Sequence, residues 1–134
     1  MLKQTFLIII LLIQSSLLYA IPDTKIVLHF NDLFKLQHLE KSVKNIRKEL
    51  GENIEIKVVV NGKAVQLMLK NDLISTQIVN HILANNADIG LCHNALKNNH
   101  VKKNMLIKGL RVLPQDGNVT LIKLQKAGYI YIKI

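Results

Sequence analysis

The sequence contains one cysteine, Cys92, and five histidines. Cys92 follows the run Asp88–Leu91 and precedes His93-Asn94-Ala95, so it falls where a strand ends and a short helix begins. At such a junction unpaired backbone N–H groups and the positive end of the helix dipole favour a thiolate. The thiolate is the species that attacks sulfur in exchange reactions. The position therefore predicts a reactive thiol, more acidic than the ordinary value of about 8.5. His93 can assist ionisation only if the helix has already begun, because neighbours along a strand point to opposite faces. Asn94 sits at the same strand end and is placed to shape a pocket around Cys92. The alternative is an inert, small, buried hydrophobe, a common fate of free cysteines.

Other residues give weaker signals. His29 sits in an apolar run, where a histidine is usually packed and hydrogen-bonded. His38, His81 and His100 lack metal-ligand spacing, and one cysteine cannot build a Cys-rich zinc site, so no metal is expected. Gly62-Lys63 lacks the upstream glycine of a phosphate loop, and no cofactor is expected. Asn118-Val119-Thr120 matches a glycosylation sequon but opens an amphipathic segment, and is read as incidental.

The elements around Cys92 follow from periodicity. Lys25–Phe30 is a strand, and Asn31 and Asp32 after it are placed to cap a helix. In the segment 34–50, Leu36, Leu39, Val43, Ile46 and Leu50 recur at steps of three and four, one face of a helix. Glu40 and Lys44 form an i,i+4 pair on its outer face, and Gly51 ends it. Ile54–Val60 is a strand that finishes continuously apolar, as one covered on both faces does. Asn61-Gly62 is a turn. Short helices follow over 63–70 and 75–85, a third strand over 88–92, and short helical pieces over 93–98 and 102–107. A fourth strand runs over 110–113, a helix over 116–126 and a fifth strand over 129–134. Alternating strands and helices imply a parallel sheet with helices on both faces. Ligand sites in such sheets lie at the carboxyl ends of the strands. That rule nominates Asn31-Asp32, Asn61-Gly62, Cys92-His93-Asn94 and the segment 114–117.

The N-terminus has a different character. Lys3 precedes the apolar run Phe6–Ile13, eight residues long; Gln14, Ser15 and Ser16 interrupt it, and Leu17–Ala20 follows, with the small Ala20 before a plausible cut. This is the pattern of a signal peptide over residues 1–20, and the run is short of the ~20 residues of a spanning helix. The expectation is a periplasmic or secreted protein starting at Ile21, with one domain over 21–134 and no stable membrane anchor after cleavage. Without Lys3, 17 Lys and Arg face 9 Asp and Glu, a net charge of +8. The basic residues, Lys41, Lys44, Arg47 and Lys48 among them, are dispersed, with few aromatics between them. A nucleic-acid binder concentrates them on one stripe, so a solvated surface is expected and no nucleic acid partner. Val65, Leu67, Met68 and Leu69 are apolar beyond the needs of a short helix, and surplus apolar faces mark interfaces.

Taken along its length, residues 24–133 resemble the DsrE/DsrF-like proteins of the sulfur-relay superfamily. The resemblance rests on KIVLHFND at 25–32, VVVNG at 58–62, DIGLCHNALKN at 88–98, LIKGLRVLP at 106–114 and LQKAGYIYIK at 124–133. It implies a three-layer α/β/α sandwich with a mainly parallel five-stranded sheet, assembled as a homotrimer or homohexamer. It also implies that Cys92 carries sulfur as a persulfide and passes it to a partner thiol or persulfide protein, as a carrier rather than a turnover enzyme. His93, Asn94, Asn61, His29 and Asp32 would then line the site. Asn61-Gly62-Lys63-Ala64 stands where the family often has Gly-Pro-Gly, and QDGNV is one residue longer than its counterpart. The alternative function is that of a non-catalytic oligomeric binding module with a structural cysteine.

Overall fold

The computed structural model describes residues 24–134. The leader expected over residues 1–20 and the start at Ile21 lie outside the described residues. Among them no helix is long and apolar enough to cross a membrane.

In chain order the elements are β1 (Lys25–Phe30), α1 (Leu36–Leu50), β2 (Glu55–Val60), a 3-10 segment (Gly62–Met68) and α2 (Leu73–Ala84). Then come β3 (Ala87–Leu91), α3 (His93–Asn98), a 3-10 turn (Lys103–Met105), β4 (Arg111–Val112), α4 (Gly117–Lys126) and β5 (Ile130–Lys133). The strands form one sheet in the order β4-β3-β2-β1-β5, and every pair is parallel. The three-layer α/β/α expectation holds, and the sheet is wholly parallel.

The layers are unequal. Alternate strand residues such as Leu28, Phe30, Val58, Val60, Ile89 and Leu91 face a large core beneath α1, α2, α3 and the 3-10 segment. Val27, Val59, Leu113 and Tyr129 face the other way, onto Leu121 and Leu124 of α4 alone. Both sides of Val58-Val59-Val60 are thus covered, which explains their continuous apolar run. Gly90 permits close packing on the thin side: a Cβ there would lie 2.5 Å from Leu113 Cδ2.

Several local expectations are corrected. Asp32 does not cap α1; its Oδ1 accepts the Phe34 N–H at 2.9 Å, closing a turn, and the helix begins two residues later than expected, after Lys35. Glu40 pairs with His81 Nδ1 of α2 at 2.7 Å instead of Lys44, an inter-helix contact that one helix's spacing cannot reveal. The segment after Asn61 is 3-10 rather than α-helical; Val65 and Met68, three residues apart, match its three-residue turn. Both are fully buried in the protein's own core, so they are not the surplus apolar surface expected of them.

Arg47, counted with the surface charges in the sequence, is 5% exposed. Its guanidinium donates to the carbonyls of Gly51, Glu52 and Ile54 at 3.2, 2.8 and 2.8 Å, and to those of Asn85 and Asn86 at 3.2 and 3.3 Å. One side chain thus ties the end of α1 to the entry of β2 and to the turn between α2 and β3.

Candidate functional site

Parallel strands end together, so the residues just past β1, β2 and β3 cluster at one edge of the sheet. Cys92 extends the ladder by one residue, its N–H donating to Val60 O at 2.9 Å. It is also the N-cap of α3, with an extended backbone, and its carbonyl accepts the Leu96 N–H at 3.0 Å. The strand-to-helix junction read from the sequence is present.

The sulfur is framed by the start of α4. The Gly117 N–H donates to Sγ at 3.2 Å, and the thiol faces Asp116 Oδ2 at 3.7 Å. Asp116 is the α4 N-cap, its Oδ1 accepting the Asn118 N–H at 2.9 Å. Asn94 Nδ2 donates to Asp116 Oδ2 at 3.1 Å. The Asn94 donor first, and then the Asn118 amide, hold the Asp116 carboxyl below the usual carboxylate range, while the Cys92 thiol adds a smaller push the same way. Asp116 is therefore an anion at neutral pH, with its charge beside the sulfur. Gly117 keeps this corner close-packed: a Cβ there would lie 3.2 Å from the Cβ atoms of both Asn61 and Cys92, so one of them would have to give way by a few tenths of an ångström.

A second set of contacts leads away from this corner. Asn61 Nδ2 lies 3.4 Å from Asn118 Oδ1, and Asn61 Oδ1 lies 3.0 Å from His29 Nε2. His29 Nδ1 in turn meets the Tyr131 hydroxyl at 2.8 Å. Burial lowers the His29 pKa from its ordinary value, and the Lys133 charge adds to that, against the Asn61 hydrogen bond. The ring is thus neutral at physiological pH.

Of the residues nominated from the sequence, Cys92, Asn94, Asn61 and His29 come together in one cluster. His93 does not join them; it lies exposed on the first turn of α3 and, among the described residues, makes no hydrogen bond to the cluster. Asp32 is also separate, engaged with the Phe34 amide and, at 4.0 Å, with Lys35 Nζ. Asp116, Gly117 and Tyr131 carry no individual signal in the sequence, and Asn118 stands out there only as part of an incidental sequon. The segment 114–117 was nominated as a strand-end patch, and an Asp-Gly pair opening a helix was the signal available there. Tyr131 joins only because β5 pairs with β1 in a register that sets Ile132 against Leu28 and Lys133 against His29. Among the described residues no group of three or more His, Cys, Asp or Glu is placed to hold a metal ion.

These features define an α/β protein with a three-layer parallel sheet and a cysteine corner at the strand ends. No family model matches the chain, and no curated protein matches it significantly. Solved structures do share its fold. A protein of unknown function from Methanobacterium thermoautotrophicum, MTH1491, superposes with a TM-score of 0.76 at 22% identity, over 84% of this chain and 100% of its own. The E. coli ychN protein gives 0.68 at 16% identity, over 83% and 99%. BT1422 from Bacteroides thetaiotaomicron, also of unknown function, gives 0.64 at 18% identity, over 82% and 94%.

Proposed function

We propose that the protein is a sulfur carrier of the DsrE-like type, with Cys92 as the carrying residue. The observation that carries this reading is the position of Cys92. It ends a central strand of the sheet, with its sulfur against the amide at the α4 N-terminus and two asparagines at the same edge. The shared fold and the motifs around Cys92 support it. In the first step the Cys92 thiolate attacks the terminal sulfur of a hydropolysulfide. One S–S bond forms at Cys92, one breaks in the donor, and the shortened polysulfide anion leaves with the electron pair. The product is a persulfide on Cys92. In the second step a partner thiolate attacks the outer sulfur, and Cys92 leaves as thiolate. No net oxidant or reductant is consumed. Cys92 is 3% exposed. A persulfide sets its reactive atom one S–S bond, about 2 Å, further out.

That burial is also what favours the second reading, a binding module in which Cys92 is structural and packs in the main core. Alkylation separates the two. Asp116→Asn removes a negative charge and a proton acceptor beside the sulfur, so negative charge developing there is better tolerated. On the carrier reading the parent thiol is alkylated by iodoacetamide in the folded state, and Asp116→Asn is alkylated several-fold faster at neutral pH. A thiol inert in both proteins until they unfold supports the structural reading.

We also propose that the mature protein is exported, begins near Ile21, and assembles as a trimer or hexamer. The support for assembly now lies on the β5 edge and α4, where Ile130, Ile132, Tyr131, Ile122 and Val119 are exposed. An open edge strand flanked by apolar side chains is a natural docking surface for another copy. Light scattering on protein exported by a bacterial host, its start fixed by N-terminal sequencing, should give three or six chain masses. A monomer, or a chain that retains Met1, contradicts the corresponding part.

A further inference from the structure

His29 lies on the thin side of the sheet, and both of its ring nitrogens are engaged. A neutral imidazole offers one donor and one acceptor. Two arrangements satisfy its neighbours. In one, the Tyr131 hydroxyl donates to Nδ1 and Nε2–H donates to Asn61 Oδ1. In the other, Nδ1–H donates to Tyr131, and a turned-over Asn61 amide donates to Nε2. The second arrangement points the Asn61 carbonyl at Asn118 Oδ1, 3.4 Å from the amide nitrogen, unless Asn118 turns as well. It also sets a negative dipole end towards a corner that already holds the Asp116 carboxylate. The first arrangement gives the amide N–H2 to Asn118 Oδ1 at 3.4 Å, and every donor in the series points from Tyr131 to the α4 N-terminus.

We infer that His29 and Tyr131 are positioning residues, which hold Asn61 with its N–H2 turned to the Cys92 corner as a second donor beside the Gly117 amide. A Cβ at Gly117 would be 3.4 Å from Asn61 Nδ2 and 3.2 Å from Cys92 Cβ, so the Asn61 amide and the Cys92 side chain flank Gly117, whose own N–H is on the sulfur. Two N–H donors select an anion there. Resting on the carrier reading, the anion is the terminal sulfur of a perthiolate on Cys92 or of an incoming hydropolysulfide. The orientation of Asn61 does not depend on that reading.

The tautomer is read directly by long-range 1H–15N correlation on the folded, 15N-histidine-labelled chain. His29 should carry its proton on Nε2; a proton on Nδ1 overturns the inference. A second measurement compares alkylation of Cys92 by iodoacetate, an anion, with alkylation by neutral iodoacetamide. Loss of the Asn61 donor in Asn61→Ala should lower the iodoacetate-to-iodoacetamide rate ratio about 5-fold, the scale of one hydrogen bond. His29→Phe should lower it in the parent background and add nothing in the Asn61→Ala background. A purely structural role shifts both reagents alike and leaves the ratio unchanged, which would overturn the inference. Sulfur uptake does not enter either measurement. An Nε2–H tautomer in a protein that takes up no sulfur leaves the positioning intact and removes the carrier reading.

Discussion

Replacing Arg47 with Met is expected to lower the unfolding free energy by about 3 kcal/mol, more than a typical core truncation of one or two methylenes. Met fills much of the volume, so the loss isolates the hydrogen bonds. Five carbonyls, from Gly51, Glu52, Ile54, Asn85 and Asn86, lose their shared donor at once. An unsatisfied buried carbonyl costs roughly 1–3 kcal/mol, and partial access to water keeps the sum well below five such costs. Asn86 adds to the effect, because it holds a left-handed backbone, φ 55°, in the turn that Arg47 binds. The midpoint temperature should fall by roughly 12 °C at ~4 °C per kcal/mol. Arg47→Lys should recover less than half of the loss, since an ammonium has three donors and no planar fork. Urea titration of the three proteins checks this. A loss below about 1 kcal/mol for Arg47→Met means that the network contributes little, and that its carbonyls find water instead.

The strand and helix order was legible because each period belongs to one segment. The steps of three and four through Leu36, Leu39 and Val43 required a helix, and KIVLHF required a strand. What periodicity could not supply was partnership across the chain. Arg47 reads as one more surface cation until the α2–β3 turn is folded against it. Glu40 reads as a partner for Lys44 until α2 brings His81 to it. The same division holds at the corner around Cys92. The cysteine and Asn61 were legible, since each directly follows an apolar run in a parallel sheet, and Asn94 was legible as a near neighbour of Cys92. His93 shares that neighbourhood in sequence only; the first turn of α3 swings it to solvent. Asp116 and Tyr131 enter through the α4 N-cap and the β1–β5 register. Tyr131 is not visible without knowing that the last strand returns to pair with the first.

Removing the Cys92 sulfur is expected to have the largest functional effect, a complete loss of sulfur uptake with the fold retained. Serine is close in size, and its hydroxyl can take over the contacts to the Gly117 amide and Asp116, so assembly and thermal midpoint should change little. The hydroxyl is not a nucleophile towards sulfane sulfur at neutral pH, and among the residues of this chain no second cysteine can replace it. The carrier reading therefore places all uptake on one atom. The most direct measurement is the intact mass of the folded protein after exposure to hydropolysulfide, parent beside Cys92→Ser, followed by addition of a small thiol acceptor. The account predicts that the parent gains the mass of one sulfur atom, that the acceptor thiol removes it, and that Cys92→Ser gains none. A folded parent that gains no sulfur, or a Cys92→Ser protein that gains as much as the parent, contradicts it.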